Sequence, residues 1–199
     1  MKTWNDITIR QWQHITKVVD EQPDELLRWI EILPELEPIT KDQIRQLSTI
    51  DFGKMVGPYK ELLNQEAEQI VRKKWKHDGR VFVCNHDLRK LTIERMEGLT
   101  SIQAKHFIDS SELSKMGKAQ ETYHIFQAIW WEDEGKGYDP ANLTERAEYI
   151  REHMPMDIAL PISNHFFQLW IDSLPAIQTY LKGKENQVGL VKGGTGIAS

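Results

Sequence analysis

The segment 157–181 constrains the fold more than any other part of this chain. Its sequence, DIALPISNHFFQLWIDSLPAIQTYL, repeats large apolar residues at helical spacing, and Phe166, Phe167 and Trp170 widen the apolar face until it nearly encircles the helix axis. A helix that is apolar on most sides must be surrounded by other elements. Pro161 fits the first turn of such a helix, and Pro175 should bend or end it. The sequence therefore predicts a helical bundle built around this segment.

Composition limits the classes of protein to which the chain could belong. With 199 residues, 40% of them hydrophobic, it can bury one sizeable core and is expected to form a single domain. A net charge of −5 argues against a nucleic-acid partner. The single cysteine, Cys84, excludes an internal disulfide and fits a small buried residue in a strand. The chain lacks a signal-peptide pattern and a run of about 18 apolar residues, so we expect no membrane partner and synthesis in the cytoplasm.

The sequence motif Thr-x-x-Gln occurs at 8–11, 40–43 and 100–103. In such a capping box the threonine hydroxyl accepts a hydrogen bond from the backbone N–H of the glutamine at the start of a helix. The glutamine side chain accepts one from the backbone N–H of the threonine. We therefore interpret these threonines as helix caps and not as catalytic groups.

Apolar periodicity and turn signals divide the rest of the chain into elements. In the helix that begins at 22–24 and closes at Pro34, the residues predicted to face inward are Leu26, Leu27, Trp29, Ile30 and Leu33. The segment 48–53 is predicted to be a connection, and the acidic segment 132–140 a solvated loop. Helices are predicted from Thr8 to about Glu21, from Thr40 to about Leu47, from about Pro58 to Trp75, from Thr92, from Thr100, from Ala119 to about Trp131 and from Asn142 to about Met154.

The dipeptide AspGly at 78–79 separates two short segments of strand character, 75–77 and 80–84, and is typical of a two-residue hairpin turn. The predicted fold is thus mainly α-helical. It is a single-domain bundle, 1–181, around a buried C-terminal helix, with one small β-hairpin at about 75–84. An extended C-terminal arm, 182–199, follows it.

Candidate chemistry is sparse. The HisAsp pairs at 77–78 and 86–87 could supply metal ligands, but a predicted turn and a loop are poor places for a preformed site. His165 could be a buried acid–base group, although a structural histidine in the core fits better. The sequence holds no Gly-rich phosphate loop and no nucleophile elbow. We expect no catalytic, cofactor-binding or metal-binding residues and no small-molecule substrate.

Several stretches together resemble small helical proteins from the structural gene blocks of tailed bacteriophages, especially crAss-like phages of Bacteroidetes. They are DITIRQWQ at 6–13, DLRKLT at 87–92 after the hairpin, YD at 138–139, ERAEYI at 145–150 and DIALPISNHFF at 157–167. Proteins of these gene blocks include head–tail ring or connector proteins, packaged virion proteins and tail assembly chaperones. The resemblance does not choose among them.

This resemblance implies a non-enzymatic structural protein of the virion, an oligomer whose partners are other phage structural proteins and copies of itself. Two alternatives stay open. One is a cytoplasmic chaperone for tail or virion assembly, and the other is a small metal-dependent hydrolase that binds metal through His77 or His86.

The C-terminal arm is rich in glycine and poor in apolar residues, so contact with a partner would be needed to order it. Its one apolar patch, VGLV at 188–191, has the extended character that suits addition to a sheet edge or a groove. We predict Val188, Leu190 and Val191 as the partner-binding residues.

Overall fold

The structure is a computed structural model that describes residues 3–65, 70–85, 92, 95, 98 and 122–165. The chain divides into two compact units, 1–162 and 163–199. The prediction of a mainly helical fold with a small β-hairpin is confirmed. The elements are α1 (Ile9–Glu21), α2 (Glu25–Leu36), α3 (Lys41–Arg45), α4 (Thr49–Leu63), β1 (Lys74–His77), β2 (Arg80–Cys84), α5 (Tyr123–Trp130), β3 (Trp131–Asp133), α6 (Leu143–His153) and α7 (156–165).

Two of the three predicted capping boxes are present. The Thr8 hydroxyl accepts a hydrogen bond from the backbone N–H of Gln11, whose side chain accepts from the Thr8 N–H at 2.9 Å. Thr40 and Gln43 repeat this arrangement at the start of α3. The box at 100–103 lies outside the described residues.

Helices α1 and α2 form an antiparallel hairpin. Arg10 donates to the Glu35 carboxylate at 2.8 Å, and His14 lies 3.3 Å from the Glu31 carbonyl oxygen. The prediction that Leu26 and Leu27 face inward is wrong, because the apolar stripe of α2 lies on Trp29, Ile30, Ile32 and Leu33. Helix α2 also continues past Pro34 to Leu36, because a proline removes only one backbone donor.

The helix predicted from about Pro58 to Trp75 has different bounds. It is α4, which begins nine residues earlier, within the segment 48–53 predicted as a connection. The Ser48 hydroxyl accepts from the Asp51 N–H at 3.1 Å and caps this helix. At the other end, the Lys73 carbonyl already accepts a hydrogen bond from the Cys84 N–H at 2.9 Å, so the chain has entered the sheet before Trp75.

The sheet is antiparallel, with strand order β1-β2-β3. Its first two strands are the predicted hairpin, with Asp78 and Gly79 at φ 45° and 75° in the turn. The third strand corrects the prediction of a solvated loop over 132–140. Glu132 pairs with Val83 and Asp133 with Phe82, because α5 delivers this segment to the free edge of β2.

The core lies where the sheet, α5, α6 and the start of α7 meet. The backbone of Met156 donates to the Ile7 carbonyl and that of Ile9 to the Met154 carbonyl, which joins the start of α1 to the start of α7. Within 156–162 the buried residues are Met156, Ile158, Ala159, Pro161 and Ile162. Pro161 falls in the second helical turn, not the first as predicted, because α7 begins at 156.

The part of the predicted central helix from 166 onward lies outside the described residues. In the part of the chain that the structure describes, no helix is both long enough and apolar enough to cross a membrane.

Candidate functional site

The described residues form a polar cavity of about 220 Å³. It lies between the β2–β3 edge, the turn that follows β3 and the first turn of α6. We call it the polar cavity. The charged side chains in its wall are Arg80, Asp133, Lys136, Asp139, Glu145 and Arg146.

Local backbone chemistry shapes one side of this cavity. Gly135 and Gly137 have φ angles of 81° and 74°, which other residues rarely adopt, so the chain can turn sharply after β3. Asp139 then accepts from the Ala141 N–H at 2.9 Å and caps the 3₁₀ turn Pro140–Asn142. That turn leads directly into α6, which carries Glu145 and Arg146 to the cavity.

Arg80 and Asp133 form a two-pronged ion pair across the β2–β3 edge. The Arg80 Nη2 lies 3.1 Å from each carboxylate oxygen of Asp133, and its Nε lies 3.2 Å from Oδ1. Such fork geometry gives strong, charge-assisted hydrogen bonds. The Arg80 guanidinium also stacks over the Tyr149 ring at 4.3 Å, so its orientation is set from both sides.

Arg146 is the unusual residue of the cavity, because only 3% of it is exposed. Its Nε donates to the Ala128 carbonyl at 3.0 Å, in the last turn of α5, where a helix leaves its carbonyls without internal partners. Its Nη2 is closed to solvent and has no hydrogen-bond partner among the described residues. Burial lowers the pKa of this guanidinium, which nevertheless stays charged at neutral pH.

A second buried arginine lies nearby. Arg95 pairs with the Glu132 carboxylate, and its guanidinium lies 4.5 Å from the centre of the Tyr138 ring. The Arg146 guanidinium lies 5.5 Å from the same ring centre. Two cations therefore contact one aromatic ring, but only Arg95 has a carboxylate partner among the described residues.

The histidine of the first HisAsp pair has a structural role. The His77 Nδ1 lies 2.8 Å from the Tyr149 hydroxyl, and its ring stacks on that of His153 at 4.6 Å. The described residues contain no group of three or more histidine, cysteine or carboxylate side chains that could hold a metal ion. The second HisAsp pair, at 86–87, lies outside the described residues, as do Val188, Leu190 and Val191 of the predicted arm.

Two further residues were singled out in the sequence, Cys84 and His165, and Cys84 does not line the polar cavity. Cys84 is buried in β2 as predicted, and burial raises the pKa of its thiol to about 12, which leaves it unreactive at neutral pH. His165 is half-buried.

The sequence reasoning missed Arg146, although a signal was present. Leu143, Ala147 and Ile150 follow helical spacing along α6, and Arg146 stands four residues before Ile150 on the same side. A charged residue on the apolar side of a helix is expected to be buried and to need a polar partner there.

A second surface feature lies at the closed end of the α1–α2 hairpin. Val19, Leu26 and Leu27 are 43%, 55% and 46% exposed, and we call them the apolar corner. The contact of His14 with Glu31 and the ion pair of Arg10 with Glu35 set the register of the hairpin. One helical turn further on, that register places Leu27 opposite the end of α1, where Val19 lies.

Comparisons with protein-family models, curated proteins and solved structures found no match to this chain. A function for this chain is therefore inferred from the residues described above and from the resemblance carried by the sequence.

Proposed function

We propose that this protein is a non-enzymatic structural component of a tailed phage particle, such as a head–tail ring or connector protein or a packaged virion protein. It would act by contact with other protein subunits, including copies of itself. The observation that supports a contact function is the apolar corner. The assignment to a phage particle is supported by the resemblance of the sequence stretches between 6 and 167.

The apolar corner favours a protein-binding role because its three exposed apolar side chains lie at the same end of the α1–α2 hairpin. Single exposed apolar residues are ordinary on protein surfaces, whereas a contiguous apolar patch with a polar rim is typical of an interaction site. Here the end of α1, the loop and the start of α2 supply exposed acidic residues, which are Asp20, Glu21, Asp24 and Glu25.

The energetic gain is sufficient to matter for assembly. Full burial of a leucine side chain contributes about 1.5–3 kcal/mol, so covering the exposed half of Leu26 and of Leu27 contributes about 1 kcal/mol each. A repeated interface multiplies this contribution over many copies. A partner surface with apolar residues and basic neighbours would complement both the corner and its acidic rim.

The test is the composition of purified particles. A phage whose own copy is deleted is complemented with the wild-type chain or with Leu26→Ser/Leu27→Ser, and particle proteins are quantified by mass spectrometry. We expect the wild type at stoichiometric level and the double variant at a reduced level, with an unchanged thermal midpoint because both side chains are exposed.

Ile50→Ser is the matched control. Ile50 is 69% exposed but lies at the opposite end of α4 from Lys60, which pairs with Glu25 beside the corner. Ten helical residues separate Ile50 from Lys60, about 15 Å, so this change should leave incorporation unaltered. Detection of the wild-type chain in lysate but never in particles would refute the structural role and favour the assembly chaperone.

A further inference from the structure

The side-chain amide of Gln13 connects three helices. Gln13 lies on α1, and its oxygen accepts a hydrogen bond from the Arg151 Nε on α6 at 3.2 Å. Its amide nitrogen lies 3.1 Å from the His124 Nδ1 at the start of α5. His124 is only 8% exposed, so water offers little substitute for these hydrogen bonds.

The chemistry of arginine fixes the orientation of this amide. An arginine Nε–H can only donate a hydrogen bond, so the Gln13 atom that faces Arg151 must be the oxygen. The amide NH₂ group, which has only donor hydrogens, then faces the His124 Nδ1. This ring nitrogen is therefore the acceptor, and the proton of the neutral imidazole lies on Nε2.

Protonation of His124 conflicts with this arrangement. The added proton goes to Nδ1, where it meets the NH₂ group of Gln13, and two donors cannot form a hydrogen bond with each other. Rotation of the amide by half a turn brings its oxygen to His124 but places its NH₂ group against the Arg151 Nε–H. In either case Gln13 loses one of its hydrogen bonds with α5 and α6.

The ionisable groups around His124 do not remove this conflict. Burial is the largest effect and lowers the pKa of His124. On α6, the Glu148 carboxylate lies 3.6 Å from the His124 Nε2 and favours the charged ring, whereas the positive charge of Arg151 opposes it. The carboxylate is also 3.3 Å from the Arg151 Nη1, which draws on the same negative charge. From α1, the facing group is the neutral Gln13.

We propose that Gln13 and His124 form a proton-sensitive link, which holds α1 against α5 and α6 at neutral pH and loosens on acidification. The start of α1 stays attached, because the Ile9 N–H donates to the Met154 carbonyl at 3.0 Å. The part that loosens is α1 from Gln13 onward, which carries Val19 of the apolar corner.

The first measurement is NMR spectroscopy of the full chain with ¹⁵N-labelled histidine. The His124 signals are assigned by their loss in His124→Gln. At pH 7.5 the long-range ¹H–¹⁵N correlations should identify the tautomer that is protonated at Nε2, and the tautomer protonated at Nδ1 would overturn the proposal. This test is made on the wild type, so it remains decisive where a substitution disturbs folding.

Gln13→Glu separates the link from burial alone. A carboxylate has acceptor oxygens at both positions, so Arg151 keeps its partner and protonated His124 gains one. The pKa of His124 in an NMR titration should therefore be higher than in the wild type. Gln46→Glu adds the same charge at an exposed position after α3 and is the matched control, in which this pKa should be unchanged.

Hydrogen exchange measures the loosening directly. After correction for the intrinsic pH dependence of exchange, wild-type amides of α1 from Gln13 onward should lose protection between pH 7.5 and 5.5. The same amides in Gln13→Glu should lose much less. Equal losses in these two proteins, or a His124 pKa in Gln13→Glu no higher than in Gln46→Glu, would also overturn the proposal.

Discussion

Phe82 is the residue whose replacement tests the described core most directly. It is fully buried in β2, the central strand, with the Trp75 ring centre at 4.9 Å and the Tyr149 ring centre at 5.6 Å. The Arg80 guanidinium lies 4.9 Å from its ring centre. Its backbone partner is Asp133, so this side chain supports the sheet edge that forms the polar cavity.

The expected cost follows from these contacts. Phe82→Ala leaves a cavity the size of an aromatic ring, which costs about 3–5 kcal/mol of unfolding free energy. Phe82→Leu keeps most of the buried volume and loses the ring contacts, each worth about 0.5–1.5 kcal/mol beyond area. We therefore expect Phe82→Leu to cost about 1–2 kcal/mol.

The assay is urea unfolding followed by tryptophan fluorescence, because Trp75 stacks on the Phe82 ring, with circular dichroism as the second probe. Phe52→Ala is the matched control, since the same atoms are removed from a half-buried position on α4. It should cost less than half as much as Phe82→Ala. If the two alanine variants lost equal stability, the assignment of Phe82 to the centre of the core would be refuted.

Three further predictions concern local features. Thr8→Ala and Thr40→Ala should each lower the unfolding free energy, measured by urea unfolding, by about 1 kcal/mol, because each removes a helix cap. The control Thr16→Ala lies inside α1 and should change the unfolding free energy by less than half as much. Burial lowers the pKa of His124, so the unfolded chain binds its proton more readily. The unfolding free energy should therefore decrease as the pH falls below about 6.5, and His124→Gln should reduce this slope in melts at pH 7.5 and 5.5. Gly79→Ala, at φ 75°, should cost about 1 kcal/mol by strain in the hairpin turn, and an unchanged urea midpoint would contradict that.

Short-range signals in the sequence were sufficient for several elements. The caps at Thr8 and Thr40 involve groups three residues apart, and the turn at 78–79 depends on the φ angles of two adjacent residues. Such features are stable in almost any tertiary setting, because the atoms that form them are neighbours along the chain. For this reason α1, α3 and the hairpin could be predicted from sequence alone.

Other features were decided by residues distant along the chain. The strand at 131–133 exists because Phe82 and Val83 offer a free edge, about 50 residues earlier in the sequence. The tertiary structure also decides which apolar residues of α2 are covered, because this depends on where the neighbouring helices end. The prediction that they face inward was therefore wrong for Leu26 and Leu27 but right for Trp29 and Leu33.

The polar cavity is a tertiary feature in the same sense. Its charged residues come from β2, β3, the following turn and α6, and only the folded chain brings Arg80 to Asp133 or Arg146 to the Ala128 carbonyl. The sequence determined the local helix and turn chemistry because short-range hydrogen bonds enforce it. Only the tertiary structure decided which charges meet and which one is left unpaired, because burial and pairing depend on the elements that pack around each side chain.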